Sequence, residues 1–250
     1  MRTLKLTLAY DGTNYVGWQR QENGLSIQQV IEEAFVPLMG AATAGGPPPA
    51  VVGAGRTDAG VHALGQVASV TLDCDLATSA VQGALNVRMP LDVRVVEVAD
   101  APAGFHARSQ AAGKTYRYRV ATAPVLSPFD RLYVFHAPGR CDVPAMRTAA
   151  ALLVGRRDFA SFQTAGSWPL DTVRTILRLD VQETGDELTM EVDGDGFLRH
   201  MVRAIAGTLL EVGLGRRAPE TVTAVLEARD RGAAGRTLPA SGLTLVTVRY

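Results

Sequence analysis

The chain opens with Leu4, Leu6, Leu8 and Tyr10 alternating with Thr3, Lys5 and Thr7, a period of two that predicts a half-buried strand. Ser26 then stands three residues before Gln29 in a capping-box pattern. Ile27, Val30, Ile31, Ala34, Phe35 and Leu38 mark one face of an amphipathic helix. PPPAVVGAG opens a second strand, GQVASVTL reads as a third, ATSAVQGALNV as a short helix and DVRVVEVAD as a fourth strand. The order is β-α-β-β-α-β, the ferredoxin-like unit.

The second half repeats that order with insertions. KTYRYRVAT predicts a strand, Pro144 to Val154 a helix, and TVRTILRLDVQ with ELTMEVDG a strand pair around Gly185 and Asp186. Phe197 to Val212 predicts a strongly apolar helix, Pro219 to Ala228 another, and GLTLVTVRY a closing strand. The expected fold is therefore α+β, with an N-terminal domain over 1–106 and a C-terminal domain over 107–250. Sequence identity between the halves is not evident, so the duplication is one of element order. Two such sheets joined edge to edge make a broad antiparallel sheet with helices on one face and a cleft where the halves meet.

Composition narrows the function classes. In 250 residues there are two cysteines, Cys74 and Cys141, too few for a disulfide framework and without metal-ligand spacing. The N-terminus has no signal-peptide core and no apolar run is long enough to span a bilayer, so a cytoplasmic, non-membrane protein is expected. The 25 basic and 25 acidic residues balance, which argues against binding through bulk charge. Their distribution is uneven: no carboxylate occurs from Ala101 to Phe129, where Arg108, Lys114, Arg117 and Arg119 lie, nor from Gly196 to Leu210, which carries Arg199, His200 and Arg203.

The glycines of VVGAGRTDAGVHALGQ start like a dinucleotide-binding loop, but Asp58 replaces the third glycine and a strand follows where a pyrophosphate would need a helix N-terminus. Asp58 has two readings. It is a turn aspartate bonded to nearby amides, or a carboxylate held ionised in a partly dry site by a cation. Arg56 and Arg203 are the candidate cations, and an arginine within HMVRAIAGTLLEVG needs a partner or a solvent exit. In KTYRYRV, Tyr116 and Tyr118 share a strand face while Arg117 and Arg119 take the other. This is either aromatic core packing or a base-stacking ring beside phosphate-binding arginines. The histidines at 62, 106, 136 and 200 show no zinc spacing and no hydrolase triad is defensible, so no metal is implied.

Taken in order, YDGTNYVGWQRQ, GRTDAGVHALGQV, FHARSQAAGKTYRYRV, DFASF, VRTI, FLRHMVRAIAG and GLTLV resemble the motifs of the tRNA pseudouridine synthase A family over nearly the full length. The resemblance implies uridine-to-pseudouridine isomerisation at positions 38 to 40 of the tRNA anticodon stem-loop, by a homodimer and without cofactor. It implies Asp58 as nucleophile, Tyr116 as a substrate contact, Arg203 as the arginine paired with the aspartate, Arg56 as its neighbour in the flipping loop, and Leu245 in the wall of the uracil pocket. SWPLDT before Val173 and GRTLPASG before Leu243 depart from the commonest forms and bear on loop contacts. The rival class is a non-catalytic RNA-binding protein on a ferredoxin-like scaffold, which needs exposed sheet aromatics but no ionised aspartate in a glycine loop.

Overall fold

The computed structural model describes residues 1–39, 46–164, 166 and 171–250. Most of SWPLDT lies outside them. The fold is α+β, and the chain divides into two compact units, Met1–Ala112 with Leu245–Tyr250, and Gly113–Thr244.

In the first unit, β1 (Arg2–Tyr10), β3 (His62–Leu72) and β4 (Val93–Ala101) run antiparallel in the order β4-β1-β3, and the short β2 (Val51–Gly53) pairs with β3. Alternation in β1 works as the pattern predicts: Leu4, Leu6 and Leu8 are fully buried while Lys5 and Thr7 are partly exposed. Helix α1 (Ile27–Phe35) is capped by Ser26, whose Oγ accepts from the Gln29 amide at 3.2 Å. Only half of the capping box forms, because the Gln29 side chain turns along the helix to Glu33 instead of back to Ser26. Leu38 falls beyond the helix, in the 3₁₀ turn Val36–Leu38 that follows Phe35 and contains Pro37. Helix α2 (Thr78–Arg88) buries only Val81 and Leu85 and packs on β4. Leu245–Tyr250 returns to this unit as part of β10 (Leu243–Arg249), which lies beside β3.

The second unit carries β5 (Gly113–Ala121), β7 (Gly155–Asp158), β8 (Val173–Thr184) and β9 (Glu187–Gly194) in the order β5-β9-β8-β7, with β6 (Phe135–His136) parallel to β5. Strands β6 and β7 have no sequence signal, being too short for a periodic pattern. Helices α3 (Val143–Leu153), α4 (Met201–Gly213) and α5 (Thr221–Ala228) complete the unit. Helix α4 is buried on nearly every face except at Arg203 and Glu211. It starts at Met201 and not at the expected Phe197, because His200 takes a left-handed backbone with φ 64° and caps it through its carbonyl, 2.9 Å from the Ala204 amide. The His200 Nδ1 lies 2.6 Å from the Thr164 hydroxyl, which ties the cap to the chain before it.

Candidate active site

The connection from β2 to β3 carries Arg56, Thr57 and Asp58, and hydrogen bonds fix it at both ends. The Ala54 amide donates to the Val67 carbonyl at 2.7 Å, and the buried Gln66 amide group donates to the Gly55 carbonyl at 2.9 Å. Tyr10, at the end of β1, meets the Thr57 hydroxyl at 2.8 Å. Burial pushes the Tyr10 phenol up to about 12, an effect its bonds to Thr57 and Gln66 reduce without cancelling, so it is a neutral hydrogen-bonding prop at neutral pH.

The segment after β1 forms the other wall. Gly17 pairs with Asp58 in an isolated antiparallel bridge, and the Trp18 amide donates to the Thr57 carbonyl at 3.0 Å. A side chain on Gly17 would stand 2.6 Å from the Thr57 carbonyl oxygen, and its φ of 107° is one that residues with a Cβ rarely adopt. At Gly12 the approach is closer still, and a Cβ would collide with the Val61 carbonyl. The Asp58 carbonyl accepts from the Val61 amide at 3.1 Å, closing a tight turn. Asp58 is thus half-buried on a backbone bonded from both sides, while Arg56, two residues before it, is exposed.

His62 is buried beneath this wall, with Nδ1 3.2 Å from the Gly12 amide and 3.1 Å from an Asp11 carboxylate oxygen. One nitrogen thereby lies within reach of both a donor and an acceptor. Its place is structural, under the turn. The β1–β3 register breaks between Leu8 and Tyr10, at the end of the loop, where a bulge re-aims the chain entering β3.

The other candidates sit on separate elements. Leu245 belongs with Arg56 and Asp58 in the first unit and is fully buried. Tyr116 and Arg203 belong to the second. Tyr116 is buried on β5, its ring 5.2 Å edge-on from Phe197. Arg203 is half-buried on α4 and donates from Nε to the Leu238 carbonyl at 2.6 Å, while its own carbonyl accepts from the Leu238 amide. The solvent-exit reading of Arg203 is therefore incomplete, since its head is engaged by backbone. Tyr118 donates to the Pro239 carbonyl at 2.8 Å; burial drives its phenol well above the usual range, with the nearby charges of Arg203 and Arg236 opposing. Tyr118 is core packing, and among the described residues no group of three or more His, Cys, Asp and Glu side chains could hold a metal ion.

The base-stacking reading of KTYRYRV loses its phosphate ligands. Arg117 donates from Nε and Nη2 to Glu191 at 3.2 and 2.9 Å, and Arg119 grips Glu187 with two bonds of 2.7 Å. With both guanidiniums committed to carboxylates, Arg117→Gln is expected to leave the salt dependence of tRNA binding unchanged. A slope shallower by about one unit would instead put Arg117 on a phosphate.

The Arg119 bonds hold the Glu187 carboxyl below its usual 4.5, against the opposing effect of burial. A depressed folded value adds stability above pH 4.5 that is lost as pH falls through the folded value. Because the pair is about a third exposed, Glu187→Gln should cost less than about 1 kcal/mol at pH 7 and nothing in strong acid. Thermal unfolding across that range checks it; a pH-independent loss would assign the effect to packing.

Sequence reading missed the props of the loop: Tyr10, Gly12, Gly17, Trp18 and Gln66. Their signal was present, since YDGTNYVGWQ places two glycines among aromatic residues, but nothing local says that those glycines face a loop some forty residues on.

Comparison with known proteins follows the same outline. A family model described as tRNA pseudouridine synthase matches residues 7–108 and 149–250. The chain is 45% identical over 250 residues to tRNA pseudouridine synthase A of Syntrophotalea carbinolica, covering 100% of this chain and 97% of that one. It is 44% identical over 250 residues to the Geobacter sulfurreducens protein of the same name, covering 100% of each. To that of Acidiphilium cryptum it is 46% identical over 252 residues, covering 100% and 97%. With a family model spanning most of its length and full-length relatives at this identity, the chain belongs to the tRNA pseudouridine synthase family.

Proposed function

We propose that this chain acts at positions 38 to 40 of the anticodon stem-loop, with Asp58 as the nucleophile. The coarser activity follows from its family: it is an isomerase that converts uridine to pseudouridine in tRNA. The observation that carries the residue assignment is the half-buried Asp58 on a turn bonded from both sides and closed in by Gly12 and Gly17. A turn aspartate needs no such wall; a carboxylate that must meet one atom of a bound nucleotide does.

In this reading the target uridine leaves the stack at a cost of a few kcal/mol, offset by phosphate contacts and aromatic stacking. Exposed Arg56 fills the vacated space. Asp58 promotes cleavage of the N1–C1′ bond, the uracil turns within its enclosure, C5 bonds to C1′, and the proton lost from C5 is balanced by one gained at N1. No electrons are exchanged, so neither oxidant nor cofactor enters the balance. The family resemblance gives Arg203 the role of the arginine that serves the aspartate, and gives Leu245 and Tyr116 roles as apolar and aromatic substrate contacts. These roles rest on the family resemblance together with the burial of Leu245 and Tyr116.

The same reading takes each unit as a ferredoxin-like half, the N-terminal domain carrying the loop, and the working enzyme as a cytoplasmic homodimer. The test is a set of tRNA transcripts keeping uridine at only one of positions 38, 39 and 40. Pseudouridine is expected at each, and modification confined to other positions would overturn the site assignment.

A further inference from the structure

Next to the Asp58 loop, within the first unit, is an open cavity of about 150 Å³ whose lining includes Trp18, Gln19, Gly53, Arg56 and Arg108. Of the lining residues, Trp18 lies against Gly53, where any side chain would run into the ring. One edge of β2 faces the cavity. The Val51 amide donates to Glu32 at 3.2 Å and its carbonyl accepts from Gln28 at 3.1 Å, both away from β3, whereas Ala54 turns its amide toward β3. By strand alternation the Gly53 amide points the way Val51 does, toward the cavity.

The charge here is unbalanced. Glu32, the buried carboxylate at this edge, is already consumed by Arg20, the Gln28 amide group and the Val51 amide. Arg56 and Arg108 are exposed, and among the described residues neither side chain has an ion pair or hydrogen bond. Yet the root of Arg108 is fixed: its amide donates to His106 Nδ1 at 3.3 Å, and the preceding Ala107 bonds to Ser69 and to the Tyr250 hydroxyl at 3.1 and 2.7 Å. A fixed root with an unengaged guanidinium, beside a second guanidinium and an outward amide, makes a donor-only cradle. Such a set suits phosphate oxygens.

We propose that this cavity is an RNA-backbone subsite in which Arg108 and the Gly53 amide, with the charge of Arg56 nearby, bind one phosphodiester of the tRNA flanking the target nucleotide. The proposal rests on the reading of the chain as a tRNA isomerase, and locates part of the grip outside the uridine pocket. Arg108→Gln is expected to weaken tRNA binding roughly fivefold near physiological salt, with a log K against log salt slope shallower by about one unit. Arg108→Lys should restore much of the slope.

A series of stem-loops with single neutral methylphosphonate linkages identifies the phosphate. Wild type should lose affinity at one linkage near the target, and Arg108→Gln should lose nothing further there. Wild-type affinity and slope in Arg108→Gln, or losses that add at every linkage, would overturn the subsite. The two readings fail differently: a wild-type chain that makes no pseudouridine sinks the isomerase reading, whereas normal wild-type turnover with an unaltered Arg108→Gln variant sinks the subsite alone.

Discussion

Asp58→Asn is expected to lower pseudouridine formation by at least about 10⁴-fold, the scale seen when a group that acts directly on the reacting atoms is removed. Binding of tRNA should change by less than about 1 kcal/mol, because phosphate contacts dominate affinity. Asparagine keeps the size of the side chain and leaves intact the main-chain bonds that hold the turn, from the Val61 amide and to Gly17. Loss of turnover with retained binding therefore isolates the carboxylate. A variant that still turned over at more than a few per cent of the wild-type rate would return Asp58 to the role of turn aspartate.

The second large effect comes from a residue that touches no substrate. Gly12→Ala places a methyl group against the Val61 carbonyl, a backbone atom with no rotamer by which to yield. The strand end or the loop must move, at about 2–4 kcal/mol, an overpacking cost at the upper end of the usual range. For a chain of this size that lowers the thermal midpoint by on the order of 10 °C. The diagnostic is kinetic. At a temperature where the variant is still folded, turnover should fall by at least about 10²-fold, since small misplacements of a reacting group cost that much. The matching control is Gly83→Ala, where a Cβ meets nothing within 4 Å and α2 only gains a better helix former. Equal turnover in the two folded variants would mean that the Gly12 wall does not position Asp58.

Much of this architecture was legible because strands and helices announce themselves by period. The leucines of β1 and the Ser26 cap appear where the pattern puts them, and the apolar run does carry α4. What was not legible depends on partners distant in sequence. The start of α4 moved because a left-handed His200 is fixed by Thr164, thirty-six residues earlier. The capping box lost its second bond because Gln29 found Glu33. Phosphate binding was one of two readings of Arg117 and Arg119 in a stretch without carboxylates, but carboxylates arrive from β9, Glu191 directly opposite Arg117 and Glu187 diagonal to Arg119.

The candidate site divides the same way. Asp58 stood out because its glycines fit no phosphate-binding loop, and the family motifs then supplied a role. The reason the loop is rigid was hidden in Gly12 and Gly17, whose need for hydrogen in place of a side chain is visible only once the two segments lie against each other.

The account stands most directly on one assay: wild-type chain, without added cofactor, incubated with tRNA carrying tritium at C5 of uridine. Breaking the C5–H bond is unavoidable in the isomerisation and plays no part in binding. The account predicts tritium released to solvent in step with pseudouridine formed, and none released by Asp58→Asn. A wild-type chain that binds the labelled tRNA yet retains all of its tritium would contradict it, leaving an RNA-binding scaffold in place of an enzyme.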